Sequence, residues 1–483
     1  MIGVTLGEVS EAIAGPLSEV TAFAAADDLA STVITGVSID SRTTSRGDLF
    51  VAIAGDSFDG HDFVDAALAR GAVAAVVSRH LMANTGATTA RFIAVDDTVV
   101  ALGRIAHHVR SKSSCTVIAI TGSSGKTTTK DMLAQVLAEV GPTIAPMGSF
   151  NNEIGVPTTV LEIDEQTEFL VLEMGARGLG HIEYLCSIAR PDVAVVLNVG
   201  AAHVGEFGSS EITAQAKGEL VAACSAAGVV VLNADDPRVS PMAARATAPV
   251  MTFGARGDVA ATEVHLDELG RPAFVLEHNG ERAAVALTLS GEHQVSNALA
   301  VACVALGLGQ KLADIAGALG RVVQRSSWRM EVSTSPGRVT VINDAYNANP
   351  ESMAAALKAL HVMGEGRRTW AVLGEMRELG ATSGEAHRRV GALAVEMGVT
   401  RLVVVGDDEG VGCVLDGARR AGLAEEAIVR VLDVDAASDL LGSSTQPGDV
   451  VLIKASRALG LERVATNLLA GPAAHRGESE TRT

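Results

Sequence analysis

The octet Thr121-Gly122-Ser123-Ser124-Gly125-Lys126-Thr127-Thr128 constrains this chain more than any other feature. It follows the apolar run Val117-Ile118-Ala119-Ile120 and precedes a helical pattern. That is the strand, glycine turn and helix setting of a phosphate-binding loop. Glycines let main-chain N–H groups approach phosphate oxygens, and the helix N-terminus adds favourable partial charge. Lys126 would then reach the β- and γ-phosphates, and the Thr127 hydroxyl would ligate Mg2+. The loop is a short variant: the general GxxxxGK[ST] pattern asks for glycine at position 120, where this chain has isoleucine.

The rest of the chain fits such a fold. Short apolar runs at 169–172, 193–197, 229–232 and 250–253 alternate with helical patterns, which predicts βαβ units and a parallel sheet. Residues 258–289 alternate in short runs around Gly270-Arg271-Pro272 and Asn279-Gly280, predicting an antiparallel edge. A helix is expected from near Gln294. A third region from Ser326 has strand-like runs at 339–342, 369–373, 402–405 and 450–453. The first hundred residues mix strands at 36–40, 49–53 and 73–77 with a helix over 63–70, and residues 111–114 read as a linker. The expected architecture is α/β in three domains. A small mixed α/β domain spans 1–113, and a central parallel-sheet, ATPase-like domain spans 114–325. A dinucleotide-fold-like domain spans 326–470, and 471–483 reads as a disordered tail.

Composition narrows the function classes. The 483 residues carry a net charge of −19, from 38 basic and 57 acidic side chains. A chain this acidic is poorly suited to non-specific nucleic-acid binding. The five cysteines form no CxxC pair and are odd in number, so they read as buried thiols in a reducing compartment. No basic residue precedes Arg42, so no signal peptide is visible. The most membrane-like stretch, 298–308, is shorter than the about 20 residues a span needs. The expectation is a cytoplasmic protein with no membrane span.

Two further residues, Glu173 and His203, stand at the carboxyl edge where an open α/β sheet binds ligands, and Lys217 comes after them. Glu173 closes the run 169–172 and would hold Mg2+, although alone it also reads as a helix-capping or surface carboxylate. His203 follows the run 193–197, and most lone histidines are structural or exposed. Lys217 lies on a following helix, where a solvated lysine is the ordinary reading.

Taken together, these residues resemble the Mur ligases, ATP-dependent amide-forming ligases of peptidoglycan precursor synthesis. The resemblance is colinear from Asp40 to Glu462. It is carried by the TGSSGKTTTK loop, by Asn151-Asn152-Glu153-Ile154-Gly155-Val156-Pro157 and by Glu173-Met174-Gly175-Ala176. Ala216-Lys217-Gly218-Glu219, Asn233-Ala234-Asp235-Asp236 and Gly291-Glu292-His293 extend it. So do Asn343-Asp344-Ala345-Tyr346-Asn347-Ala348-Asn349-Pro350, Leu373-Gly374-Glu375-Met376 and Lys454-Ala455-Ser456-Arg457. The Tyr346 to Pro350 stretch, with no Asp-Asn-Pro-Arg signature, points to a D-Ala-D-Ala acceptor and a UDP-N-acetylmuramoyl-tripeptide donor.

The resemblance implies a role for each matched position. Thr121, Gly122, Ser123, Ser124, Gly125, Lys126, Thr127 and Thr128 would bind ATP phosphates. Asn297, and with it His293, would face the adenine side, Arg329 a phosphate and Asp344 the ribose, with Tyr346 and Asn349 flanking the base. Two Mg2+ ions are implied, held by Thr127, Glu173, His203 and Lys217. Lys217 would be carbamylated by CO2, because an ammonium would repel the metal and a carbamate would attract it. Lys126, Lys217 and His203 are the implied catalytic set. Ser41, Arg42 and Asn152 would bind the UDP substrate, although Arg42 also reads as a salt-bridge partner and Ser41 as a turn residue. A monomer is expected. The rival readings are a Mur-type ligase adding a different amino acid, a folylpolyglutamate synthetase-like ligase, and a non-catalytic nucleotide switch. Departures from the family pattern are Arg177, His181, Trp328, Glu375 and Ala455.

Overall fold

The computed structural model describes residues 1–14, 30–55, 57–82, 91–200 and 209–471. His203 and all but the first residue of the expected tail 471–483 lie outside them. Each third of the chain builds its own sheet. In the first, Gly36–Ser38, Asp48–Val51, Ala74–Ser78 and Phe92–Val95 pair in that order, all parallel. A two-stranded antiparallel ribbon, Val4–Thr5 with Val33–Ile34, stands beside it.

The central sheet has nine strands. Their order is Glu281–Ala286, Pro272–His278, Val259–Leu266, Val250–Phe253, Val229–Asn233, Val193–Val196, Thr116–Thr121, Phe169–Glu173 and Thr143–Ile144. Thr116–Thr121 runs parallel to both neighbours, with the later Phe169–Glu173 on one side and Val193–Val196 on the other. The chain therefore reverses its direction of winding at this strand. The crevice such a reversal opens at the carboxyl edge is where α/β sheets bind ligands.

The expected antiparallel edge is present as three strands, Val259–Leu266, Pro272–His278 and Glu281–Ala286. Asn279 and Gly280, at φ 49° and 81°, make the two-residue turn of its second hairpin. Both central positions of such a turn need positive φ, hence Asn-Gly.

In the third sheet the order is Glu331–Thr334, Thr340–Asn343, Val450–Lys454, Thr369–Leu373, Arg401–Val405 and Ile428–Val431. Only the first pair is antiparallel.

Strands such as Val193–Val196 and Val450–Lys454 are buried along their whole length. Both faces of each large sheet are covered by helices, so continuous β-branched runs are favoured over alternation. One core is shared between the first two sheets, from Val4 and Ile93 through Val109 to Leu172 and Leu232. The helix Thr98–Ser111, capped by Asp97, links them, packing on Gly155–Val160 and His181–Ala189. That helix occupies the first position of the expected linker. The apolar stretch near 298–308 is the central domain's buried helix Gln294–Gly307. Among the described residues no helix is long and apolar enough to cross a membrane. All five cysteines are buried and free.

Candidate active site

The strand Thr116–Thr121 delivers the loop to the crevice, and the helix Lys126–Ala138 leaves it. Gly125 caps that helix at φ 81° with no side-chain cap. A Cβ there would lie 2.7 Å from Asn297 Oδ1, so both its backbone angle and its neighbour require glycine. Asn297 is held in turn by donating to Gln294 Oε1 at 2.8 Å.

Not every loop amide is free for a phosphate. The Ser123 and Ser124 N–H groups both donate to Asn198 Oδ1 at 2.9 Å. Gly200 N–H donates to Ser123 Oγ at 2.9 Å. Asn198, which the sequence reading did not single out, therefore braces the turn from the next strand's loop. The first helical turn remains as the anion-facing end, with its N–H groups beyond side-chain capping. Thr121 lies behind this surface, fully buried, its hydroxyl donating to Met174 O at 2.8 Å. Gly122 fits closely against Leu197.

Glu173, at the end of its strand, is fully buried and not a surface carboxylate. The Thr127 hydroxyl donates to its Oε2 at 2.6 Å. Its Oε1 accepts from Ser149 Oγ and, at 2.7 Å, from Asn151 Nδ2. Lys126 donates to the Gly122 carbonyl at 2.7 Å. Burial pushes its pKa below the ordinary lysine value; Glu173 opposes this and Arg329 adds to it.

Lys217 is also buried, on the inner face of Ser210–Ala223, and is not the solvated lysine its helix suggested. Among the described residues its ammonium has no hydrogen-bond or ion-pair partner. Burial, then the charge of Lys126, holds its pKa well below normal.

The third domain faces this loop. The Arg329 guanidinium lies over the Tyr346 ring at 3.9 Å, while its Nε is buried with no hydrogen-bond partner among the described residues. Asp344 accepts from Met330 N–H at 3.0 Å and pairs with Lys454 at 2.6 Å. Lys454 is almost fully buried and also donates to Asn347 O at 2.8 Å. Asn349 caps the helix Pro350–Met363 and donates to Ser123 O at 3.5 Å. Ser123 to Thr128, His293, Asn297, Arg329, Asp344, Tyr346 and Asn349 line one cavity of about 560 Å3. That volume is in the range of small-molecule sites. Burial lowers the pKa of His293 there, and Lys454 reinforces the shift against the opposing charges of Asp344 and Glu292.

The proposed UDP-side residues make local contacts of their own. Arg42 is strongly exposed and forms an ion pair with Asp40 at 2.6 Å, the salt-bridge reading of that residue. Ser41 is half-buried in the same turn. Asn152 Oδ1 accepts from the N–H groups of Ile154 and Gly155, at 3.3 and 2.9 Å, in the turn leading into the helix Gly155–Val160.

Three family models together match most of the chain. The Mur ligase family catalytic domain matches residues 33–110, the Mur ligase middle domain 120–305, and the glutamate ligase domain 328–457. A UDP-N-acetylmuramoyl-tripeptide–D-alanyl-D-alanine ligase of Mycobacterium bovis is 44% identical, covering 97% of this chain and 98% of that one. This chain belongs to the Mur ligase family. The ligase of the same name from Escherichia coli is 33% identical over 97% of this chain and 99% of its own. The Mur ligase fold is equally clear in solved structures. MurF from Acinetobacter baumannii superposes with a TM-score of 0.84 at 30% identity, covering 97% and 99% of the two chains. MurF from Thermotoga maritima, in complex with ADP, gives 0.78 at 31% identity over 90% and 97%.

Against the Mur ligase pattern, the departures at Trp328 and Ala455 have a structural setting. Trp328 holds φ 60°, and Arg457 stacks over its ring at 4.0 Å. Ala455 is buried, its Cβ 2.8 Å from where a Cβ on Gly374 would stand, so the small pair fits only with one glycine. Glu375 pairs with Arg377 at 3.1 Å. His181 Nδ1 accepts from Arg177 N–H at 3.3 Å.

Proposed function

We propose that this Mur ligase joins D-Ala-D-Ala to UDP-N-acetylmuramoyl-tripeptide, with ATP converted to ADP and phosphate. One observation carries the reading: the phosphate loop of the central domain and Arg329, Asp344, Tyr346 and Asn349 of the third line a single cavity. The names of relatives matching from end to end supply the substrates, and the ADP-bound relative supports the nucleotide. The division at 113/114 and 325/326 belongs to the same reading. The first domain holds the UDP end through the region of Ser41, Arg42 and Asn152, the second binds ATP, and the third closes over it and brings the acceptor. The enzyme acts as a cytoplasmic monomer.

The chemistry follows from what a carboxylate lacks. It is a poor acyl donor, so the γ-phosphoryl group is first transferred to the tripeptide's terminal carboxylate, releasing ADP. The neutral amine of D-Ala-D-Ala then attacks the acyl phosphate, and phosphate leaves from the tetrahedral adduct. Lys126 and Arg329 offset negative charge on the moving phosphoryl group from opposite domains. Asp344, already oriented by Met330 N–H and Lys454, takes the ribose hydroxyls, Tyr346 and Asn349 flank the base, and Asn297 contacts the adenine side. Closure of the third domain excludes water, which would otherwise hydrolyse the acyl phosphate.

The donor set suits Mg2+, which prefers hard oxygen ligands: the Thr127 hydroxyl and the buried Glu173 carboxylate already converge. Bound there, Mg2+ would neutralise phosphate charge. Lys217 suits a carbamate, since a buried amine with depressed basicity is nucleophilic towards CO2. The carbamate's two anionic oxygens, with His203, would hold the second ion.

Acceptor competition tests the assignment. D-Ala-D-Ala should be preferred over L-Ala-L-Ala, diaminopimelate and lysine. Preference for either free diamino acid would move the protein to a sister ligase.

A further inference from the structure

Lys130 is a lysine with no exposed surface at all. It lies one helical turn past Thr127 in Lys126–Ala138, on the same face. Its ammonium contacts Asp131 Oδ1 at 2.9 Å and donates to the carbonyl oxygens of Pro146 and, at 2.9 Å, Gly148. Burying an ammonium is costly unless its hydrogen bonds are met. Here they are met by a segment without regular structure, 145–151.

Ala145 packs on the central core and Pro146 is buried, but the stretch beyond them is open. Met147 and Phe150 are exposed, and Gly148 stands at φ 78° with open space around it. Yet it carries Ser149 and Asn151, whose side chains donate to Glu173 Oε1. Asn151 Nδ2 also donates to Ser149 Oγ at 3.0 Å, and Asn151 O accepts from Gly175 N–H at 2.8 Å. The contacts form a closed ring. Thr127 reaches Glu173 directly, and Lys130, from the same helix face, holds the segment that reaches Glu173 from the other side.

We propose that Lys130 is a positioning residue for the Glu173 carboxylate, acting through the segment it pins at 146 and 148. The inference rests on the reading of Glu173 as a Mg2+ ligand and adds what aims that ligand. Partners that orient a metal ligand are typically worth about 10–100-fold in metal affinity.

The test uses the full chain with a nonhydrolysable ATP analogue, reading Mn2+ affinity by electron paramagnetic resonance. Lys130→Met should weaken Mn2+ binding by about tenfold. It should raise the Mg2+ concentration for half-maximal velocity by a similar factor, with kcat at saturating Mg2+ largely kept and UDP-substrate affinity unchanged. The paired substitution Ser149→Ala with Asn151→Ala cuts the same ring elsewhere and should give a similar shift. Combined with Lys130→Met it should add little. Lys130→Gln, which keeps a donor without the charge, is the milder variant should Lys130→Met not fold, and should weaken Mn2+ binding by about threefold. Wild-type Mn2+ affinity in the folded Lys130 variants, with Glu173→Gln impaired, would overturn the proposal. So would full additivity with the paired substitution. If Glu173→Gln itself leaves Mn2+ binding unchanged, the metal reading of Glu173 fails, and this inference with it.

Discussion

The Asn349 amide of the third domain donates to the Ser123 carbonyl of the phosphate loop at 3.5 Å. The same side chain caps the helix Pro350–Met363, its Oδ1 accepting from Ser352 N–H at 2.8 Å. Farther along that helix, Lys358 pairs with Glu292 of the central domain at 2.8 Å. One helix thus docks on the central domain at its N-terminus and at its middle, with the nucleotide cavity beside it. Asn349→Ala removes a cap and a bridge together. Small-angle scattering should show the wild-type protein compacting with a nonhydrolysable ATP analogue and UDP substrate. The variant should need about tenfold more analogue to do so, equivalent to about 1.4 kcal/mol. A scattering profile that never changes under saturation would argue against closure.

Lys126 opens the helix that leaves the loop, its ammonium on the Gly122 carbonyl. Lys126→Ala should lower kcat by about 10³-fold, the scale for losing a preorganised group that stabilises transition-state charge. Near-normal turnover in a folded variant would remove the loop from the ATP site.

Lys217 is buried, without a partner among the described residues and less basic than an ordinary lysine. Lys217→Ala should abolish ligation, and a short carboxylic acid in the buffer should restore part of it. Lys217→Arg should fail as well, because a guanidinium forms no carbamate. Full activity in Lys217→Arg would make the residue merely structural.

Asp449 should make the third domain's stability sensitive to acid. Burial opposes its ionisation, but hydrogen bonds from Arg368, Gln446 N–H and Trp370 outweigh this and hold its pKa below the ordinary value. The stabilisation is therefore present above the unfolded carboxylate range, about pH 4, and is lost as pH falls through the lower folded value. Asp449→Asn should destabilise by about 2–3 kcal/mol at neutral pH, since Arg368 keeps some hydration. Denaturant melts should show the gap from wild type closing in acid. A gap constant with pH would exclude the ionised carboxylate as its source.

What the sequence reading captured was mostly local. Gly125-Lys126-Thr127 encodes a turn and helix start within a few residues, and Asn279-Gly280 encodes its own hairpin turn. Glu173 was visible because a carboxylate ending an apolar run must sit at a sheet edge. Contacts made over distance were not visible. Asn198 braces Ser123 and Ser124 from a loop 74–75 positions away. Lys130 reads as an ordinary helix lysine until its carbonyl partners are in place. The short strands Phe92–Val95 and Ile428–Val431 were missed; each stands at the edge of its sheet and pairs on one side only. Trp328 was noted as a departure, but its left-handed backbone, beside Met330 at φ 53°, depends on the stacked Arg457 and on neighbours far along the chain.

The central claim is that the two facing domains run one ligation on ATP, and phosphate release tests it most directly. With UDP-N-acetylmuramoyl-tripeptide, ATP and Mg2+, release should stay near background until D-Ala-D-Ala is added. It should then proceed with one phosphate per UDP-pentapeptide formed. Sustained release without the dipeptide, or none with all substrates present, would contradict the account.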